Sequence, residues 1–383
     1  MKKFRWFTPL VLLIALSPIL AYCDPEPRLG VRMIYDPVDQ RIIMYGGAIW
    51  QNRYNFYDEL WSYEPETNTW TLLEMNNSPD PRFNTMLTYI PERHQLFMYG
   101  GWSQEDRVDG TYLFDFATST WTELHPSIQP SSRSDASIAY DPENDVIVLY
   151  SGYLQNDTHT RDTWIYSFTE ENWIKQHPEN TPLGQYGHYM VYAEETGQLL
   201  MYPGHWSTGT GEHGFGGNIW EYNVAEKTWI EHPSTATPPG RYWGHLVYDS
   251  TENRLILFGG NGVVDYDDTW TYDIETRTWE KATQTVKPSK RGCQAMAYDP
   301  QNNVVVVFGG FDNGQSLGDT WILDCETLTW SQPETQTSDT GTQIIEPDQS
   351  ETETTSNGIP GYPAWSILVG VVVIVFWKRR SLC

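Results

Sequence analysis

The sequence predicts an all-β fold, a six-bladed β-propeller assembled from six copies of one four-stranded sheet. Three observations predict it. Tyr35, Tyr89, Tyr140, Tyr192, Tyr248 and Tyr298 recur at intervals of 50 to 56 residues, and Trp70, Trp121, Trp173, Trp229, Trp279 and Trp330 keep step with them. Seven residues before each Tyr stands Arg28, Arg82, Arg133, Gln185, Arg241 or Arg291. Periods of this length mark architectures in which one unit cannot bury its own faces and must stack on its neighbours. The markers divide the stretch 28–336 into units 28–81, 82–132, 133–184, 185–240, 241–290 and 291–336.

The fifth unit shows how each copy is read. GHLVYDS is an apolar run closed by a turn, NRLILFGG a second run ending in two glycines, DDTWTYD a third, and RTWEKA a fourth after the turn IETR. Runs of five to seven residues rich in Val, Ile, Tyr, Trp and Thr, separated by Asp, Asn and Gly, are strands joined by tight turns. A lone four-stranded sheet leaves both faces wet, so the sheets stack around an axis. The six recurring Trp, and Trp61, Trp164, Trp220, Trp270 and Trp321 of the third strands, are therefore expected in the core. Each would bury roughly 150–250 Å², an upper bound of about 4–6 kcal/mol at about 25 cal/mol per Å².

These units resemble kelch repeats. The resemblance is carried by the Arg markers and by the glycine pairs that close the second strands, Gly46-Gly47, Gly100-Gly101, Gly259-Gly260 and Gly309-Gly310. Units three and four depart from it with Ser151-Gly152 and Pro203-Gly204, and unit two carries Tyr112 and Phe116 in place of the usual Trp pattern. The resemblance implies a first strand nearest the axis and an outermost strand bearing the recurring Trp. Both ends of the array are in phase with the sheets, so no strand is expected to be lent from one end to the other.

The flanks differ in kind from the repeats. Lys2, Lys3 and Arg5 precede the apolar run Trp6 to Leu20, the layout of a secretory signal peptide spanning 1–23 and cut before Asp24, with lipidation of Cys23 as the alternative. Residues 331–358 hold eleven Ser or Thr, six Asp or Glu and no Lys or Arg, so 337–358 reads as a disordered stalk. Residues 359–377 carry no charge and are followed by Lys378, Arg379 and Arg380. At about 1.5 Å per residue a helix there would reach about 28 Å, close to a hydrocarbon core of about 30 Å. The reading therefore adds one C-terminal transmembrane helix, with 378–383 as a cytoplasmic tail. The tail also resembles the tripartite sorting signals of archaeal surface proteins, with Pro360, Gly361 and Tyr362 at the matching positions. That resemblance implies cleavage and transfer to a lipid. On either alternative the expectation is a cell-surface protein, single-pass or lipid-anchored, with the propeller outside and the membrane as a partner.

The formal charge of −26 excludes a nucleic-acid partner, since affinity for a phosphate backbone comes largely from Lys and Arg. Cys293 and Cys325 are the two cysteines of the repeat region, at different positions in their units, and a bridge between them is left open.

Function is expected on the face that carries the loops between second and third strands and the links between units, because these are long and varied while the other turns are short. Aromatic side chains there, Trp50, Tyr54, Trp102, Tyr153, His205, Trp206, Tyr266 and Phe311, stand beside carboxylates and amides. Such groups stack on sugar rings or serve as protein-binding hot spots, so the expected partner is a glycan or a cell-surface protein. No cofactor or metal is assigned. His205, Glu212 and His213 lack a zinc spacing, and Cys293 and Cys325 lack the His and Tyr motifs that a resemblance to galactose oxidase would require. A carbohydrate-active enzyme and an architectural envelope protein are the alternatives. Asn76 and Asn156 begin Asn-Asn-Ser and Asn-Asp-Thr and are expected to carry glycan.

Overall fold

The computed structural model describes residues 24–104, 106–208 and 211–333. Among them the chain forms six antiparallel four-stranded sheets, each made of four strands of one unit taken in order. The first sheet runs Arg32–Asp36, Arg41–Tyr45, Leu60–Glu64 and Thr69–Leu73. The first strands of the six units are Arg32–Asp36, Met86–Ile90, Ser137–Asp141, Tyr189–Ala193, His245–Asp249 and Ala295–Asp299. Second strands such as Val304–Phe308 are apolar almost throughout because they are covered on both faces.

Burial is organised by junction. Each of six hydrophobic clusters draws its residues from two adjacent units, and one of them joins Met33, Met44 and Trp70 of the first unit to Ala297, Val306 and Phe308 of the sixth. The recurring Trp reach across these junctions. The indole N–H of Trp173, Trp229 and Trp330 donates to Thr111, Thr163 and Thr269 of the preceding unit, and that of Trp70 to Thr320 of the sixth. Unit four has Ile219 at this place, which explains why Trp279 Nε1 is buried with no partner among the described residues. Unit one has Leu60, and Trp121 turns instead to Met75 Sδ at 3.2 Å.

Ahead of each first strand the backbone passes through one residue of left-handed conformation: Gly30, Asn84, Asp135, Gly187, Trp243 and Cys293, with φ between 49° and 66°. These six are linked in a circuit. Asn84 N–H donates to Gly30 C=O, Asp135 to Asn84, Gly187 to Asp135, Trp243 to Gly187, Cys293 to Trp243 and Gly30 to Cys293, at 2.7 to 3.2 Å. The arrangement is that of a β-propeller, held at one end of its axis by this circuit.

Part of the expected fold class is corrected. Among the described residues no helix is long and apolar enough to cross a membrane, because the apolar residues are spent on short strands and the helical segment there is the three-residue turn Pro91–Arg93. The segment 359–377 lies outside the described residues, as do the signal 1–23, the stalk 337–358, the sorting motif at Pro360, Gly361 and Tyr362, and the tail 378–383. The transmembrane helix, the membrane partner, the archaeal surface assignment and the single-pass or lipid-anchored location are corrected too, since no membrane-crossing helix stands among the described residues. Cys293 and Cys325 are both buried and free.

Candidate functional site

The Arg markers frame the face on which the loops gather. Arg28, Arg82, Arg133, Arg241 and Arg291 are each at most 2% exposed. Each donates from Nε to the carbonyl two residues earlier and from a terminal nitrogen to the first carbonyl of the second-strand glycine pair or its equivalent, as Arg241 does to Pro239 and Gly259 at 3.1 and 2.9 Å. Four of them also pair with a carboxylate, Glu59, Asp162, Asp268 or Asp319, that accepts the N–H of the Trp two residues on. Unit four replaces both partners together, with Gln185 for the Arg and Asn218 for the acid. Gln185 Oε1 accepts the N–H of Gly204 at 2.8 Å and so keeps the link to the second strand without a charge. In unit two, Gly110 stands where the acid would be, and Arg82 lies over the Tyr112 ring at 5.2 Å.

This clamp pins each link beside the loop between second and third strands. Arg133–Ser134 pairs with Tyr153–Leu154, Gln185–Tyr186 with His205–Trp206, and Arg241–Tyr242 with Asn261–Gly262. Links and loops therefore form one surface. Across it runs a band of rings. Trp50 meets Tyr54 at 4.7 Å, Tyr54 meets Phe83 at 5.1 Å, and Phe83 stacks on Trp102 at 5.6 Å. The Arg107 guanidinium lies between Trp102 at 4.7 Å and Tyr153 at 4.1 Å. Tyr153 continues to His159 and Tyr186, and Tyr186 to His205, Tyr242 and Trp243, at 4.9 to 6.0 Å.

Of the eight side chains singled out from the sequence, the structure brings Trp50, Tyr54, Trp102, Tyr153 and His205 into this band. The other three serve local packing. Trp206 covers Gly214 in its own hairpin, Tyr266 lies 4.0 Å over the Arg241 guanidinium, and Phe311, which joins none of the ring-to-ring contacts given above, packs on the cluster of Leu29, Ala48, Phe83 and Cys293, as Tyr54 and Trp102 also do. Sequence reasoning missed Phe83, Arg107, His159, Tyr186, Tyr242 and Trp243. Phe83, Tyr186 and Tyr242 each stand one residue after an Arg or Gln marker, so the marker itself was the signal that places them. Asn156 and Asn76 are both exposed, Asn156 in the unit-three loop and Asn76 beside the start of the outermost strand of unit two, its backbone N–H on Ser119 C=O at 2.9 Å.

The band is uncharged apart from Arg107 and its acidic neighbours. Burial, with His205 and Arg107 adding to it, pushes the His159 imidazole down to about 4. Burial and then His213 likewise lower His205. Both rings are neutral near pH 7, and among the described residues His159 Nε2 and His205 Nδ1 are buried with no hydrogen-bond partner. Asp36, Asp39 and His94 bring metal-type donors within 4.8 Å of one another on a different part of the molecule. Arg41 already reaches Asp36 at 3.5 Å and Asp39 at 2.7 Å, so that cluster has its cation.

The repeat geometry agrees with known families. The profile of the KLHDC2/KLHL20/DRC7 Kelch-repeats domain matches residues 18–204, 127–297 and 197–344. The chain belongs to the kelch-repeat family. Multiple epidermal growth factor-like domains protein 8 of Mus musculus is 28% identical over 173 residues, 43% of this chain and 6% of that protein, and the Homo sapiens protein matches to the same extent. Kelch domain-containing protein 2 of Bos taurus is 25% identical over 149 residues, 38% of this chain and 36% of that protein. The match thus spans well under two thirds of these relatives. Kelch-repeat architecture supports a protein-interaction scaffold in general, with the variable loops presented by a shared frame.

Proposed function

We propose that this kelch protein binds a partner, a protein segment or a glycan chain, on the face formed by its links and 2–3 loops. The single observation that carries the reading is the band of rings from Trp50 to Trp243, which crosses from unit one to unit five. Rings held at fixed positions offer stacking area at low cost in conformational entropy. At one edge Trp50 is 36% exposed, and Val263 and Val264 at the tip of the unit-five loop are 87% and 60% exposed. Apolar side chains this exposed beside aromatic rings suit a recognition surface.

The test is a glycan array and a displayed peptide library screened with the protein, followed by titration of the ligand found. Trp50→Ala and His205→Ala are each expected to weaken binding about tenfold or more, on the order of 1.4 kcal/mol, with little change in melting temperature. Val38→Asp, at an exposed turn on the other face, is expected to leave affinity unchanged. Equal loss from Val38→Asp, or none from the first two, would place the site elsewhere.

A further inference from the structure

The axis of the molecule holds a channel of about 420 Å³ lined by the six first strands. Its rim is made by turn residues on the face opposite the aromatic band, Pro37, Pro91, Pro142, Ser250 and Pro300 with Glu194, and its inner end by Arg32, Tyr189 and His245. The circuit of six left-handed residues stands just before these strands, beyond the Arg32 end, and is not part of the lining. Its walls carry Ile34, Leu87, Ile138, Val191 and Leu246.

Arg32 is the one Lys or Arg in this lining, which also carries Glu194 at the rim and the polar groups of Thr88, Ser137 and His245. Its Nε donates to Thr85 C=O at 2.7 Å and one terminal nitrogen to the Tyr189 hydroxyl at 3.1 Å. Four of the marker arginines hold a carboxylate; Arg32 makes no ion pair among the described residues. The neighbouring Asp135 makes no ion pair with Arg32: burial raises its carboxyl, and its oxygens accept from Asn84 Nδ2 at 2.6 Å, Trp243 Nε1 at 2.8 Å and the Ser134 hydroxyl at 2.5 Å. The nearby imidazoles supply no second cation, since burial pushes His188 and His245 down to about 3. A mainly apolar cavity of this size with one cation at its inner end matches the usual form of a small-molecule site, a few placed polar groups in an apolar wall.

We propose that the channel binds an elongated apolar monocarboxylate, its chain along the axis and its head group on the Arg32 guanidinium. A guanidinium and a carboxylate pair through charge-assisted hydrogen bonds, and the surrounding wall keeps water from weakening them. A phosphate or a second acid group finds no further cation at this depth.

The experiment is calorimetric titration of the full chain with decanoate, decan-1-ol and decylamine. Decanoate is expected to bind at one site per chain, the alcohol at least tenfold more weakly, and the amine not measurably. Arg32→Met is expected to weaken decanoate at least tenfold and leave the alcohol unchanged, while Arg32→Lys retains part of the preference. Val191→Trp, which fills the channel, is expected to abolish all three. Should Arg32→Met fail to fold, the comparison of the three probes on the native chain decides. Equal affinity for the three probes, an Arg32→Met variant that binds decanoate as the native chain does, or no binding of decanoate at all would each overturn the assignment.

Discussion

Arg241→Ala is expected to destabilise the fold by about 3–5 kcal/mol, because it leaves a buried acid without its partner. Arg241 is 1% and Asp268 7% exposed, and their shortest contact is 2.6 Å. With the guanidinium gone, Asp268 retains Lys281 at 3.3 Å and the Trp270 N–H, and the Gly259 carbonyl loses its donor. Unit four shows how the same position works without charge, with Gln185 and Asn218. Arg241→Gln combined with Asp268→Asn is therefore expected to cost less than Arg241→Gln alone, with a coupling of at least about 1 kcal/mol in a double-mutant cycle read by urea unfolding. Additive losses would show that the two groups do not act as a pair.

Acid unfolding follows from the same clasp. Burial alone would raise the Asp162, Asp268 and Asp319 carboxyls, but the hydrogen bond and charge of Arg133, Arg241 or Arg291 and the Trp N–H outweigh it and hold each below the usual range. A carboxyl depressed in the folded state adds stability that is present above the unfolded value of about 3.9 and lost as pH falls through the folded one. Stability should therefore drop below about pH 4. The doubly substituted chain, with two such acids in place of three, should lose less between pH 4 and pH 2. An identical slope in both proteins would assign the acid limb to other groups.

The framework of this molecule was legible because it is repeated: Tyr and Trp recur in all six units and the Arg in five, where it makes the same two backbone contacts each time. Departures from the period were legible too, since Gln185 and Asn218 change together and Ile219 leaves Trp279 without an acceptor. The aromatic face was legible only in part. Loop position alone placed Trp50, Tyr54, Trp102, Tyr153 and His205 near one another, but it could not separate them from Trp206, Tyr266 and Phe311, whose rings cover a glycine, a guanidinium and a core cluster. Tyr186 and Arg107 belong to a link and a strand, and only their cross-pairing with the loops brings them to the surface. The six left-handed residues of the circuit were hidden for a different reason. Gly, Asn and Asp tolerate that conformation, but Trp243 and Cys293 are not residues one would place there.

Gly309→Ala is expected to have the second large effect, a loss of at least about 3 kcal/mol, and it tests the junction between the last unit and the first. Gly309 has φ of +66°, and a Cβ there would stand 2.4 Å from the Arg28 carbonyl oxygen. An alanine in the left-handed region costs roughly 1–2 kcal/mol by itself, and overlap with a backbone atom adds to it because neither side can rotate away. The same carbonyl accepts the Gly310 N–H at 2.9 Å, while Arg28 N–H donates to Leu317 and the Trp70 indole to Thr320. All of these lie between units six and one. Gly314 provides the control: its φ is +83° and nothing lies within 4 Å of a Cβ, so Gly314→Ala should cost only the conformational share. Gly259→Ala, with Arg291 C=O at 2.8 Å, makes the equivalent change between units five and six. If the sixth unit holds the first as the fifth holds the sixth, Gly309→Ala and Gly259→Ala should destabilise to a similar degree, each with a single unfolding transition in urea. A Gly309→Ala protein no less stable than the Gly314→Ala control would mean that units six and one are not joined in solution.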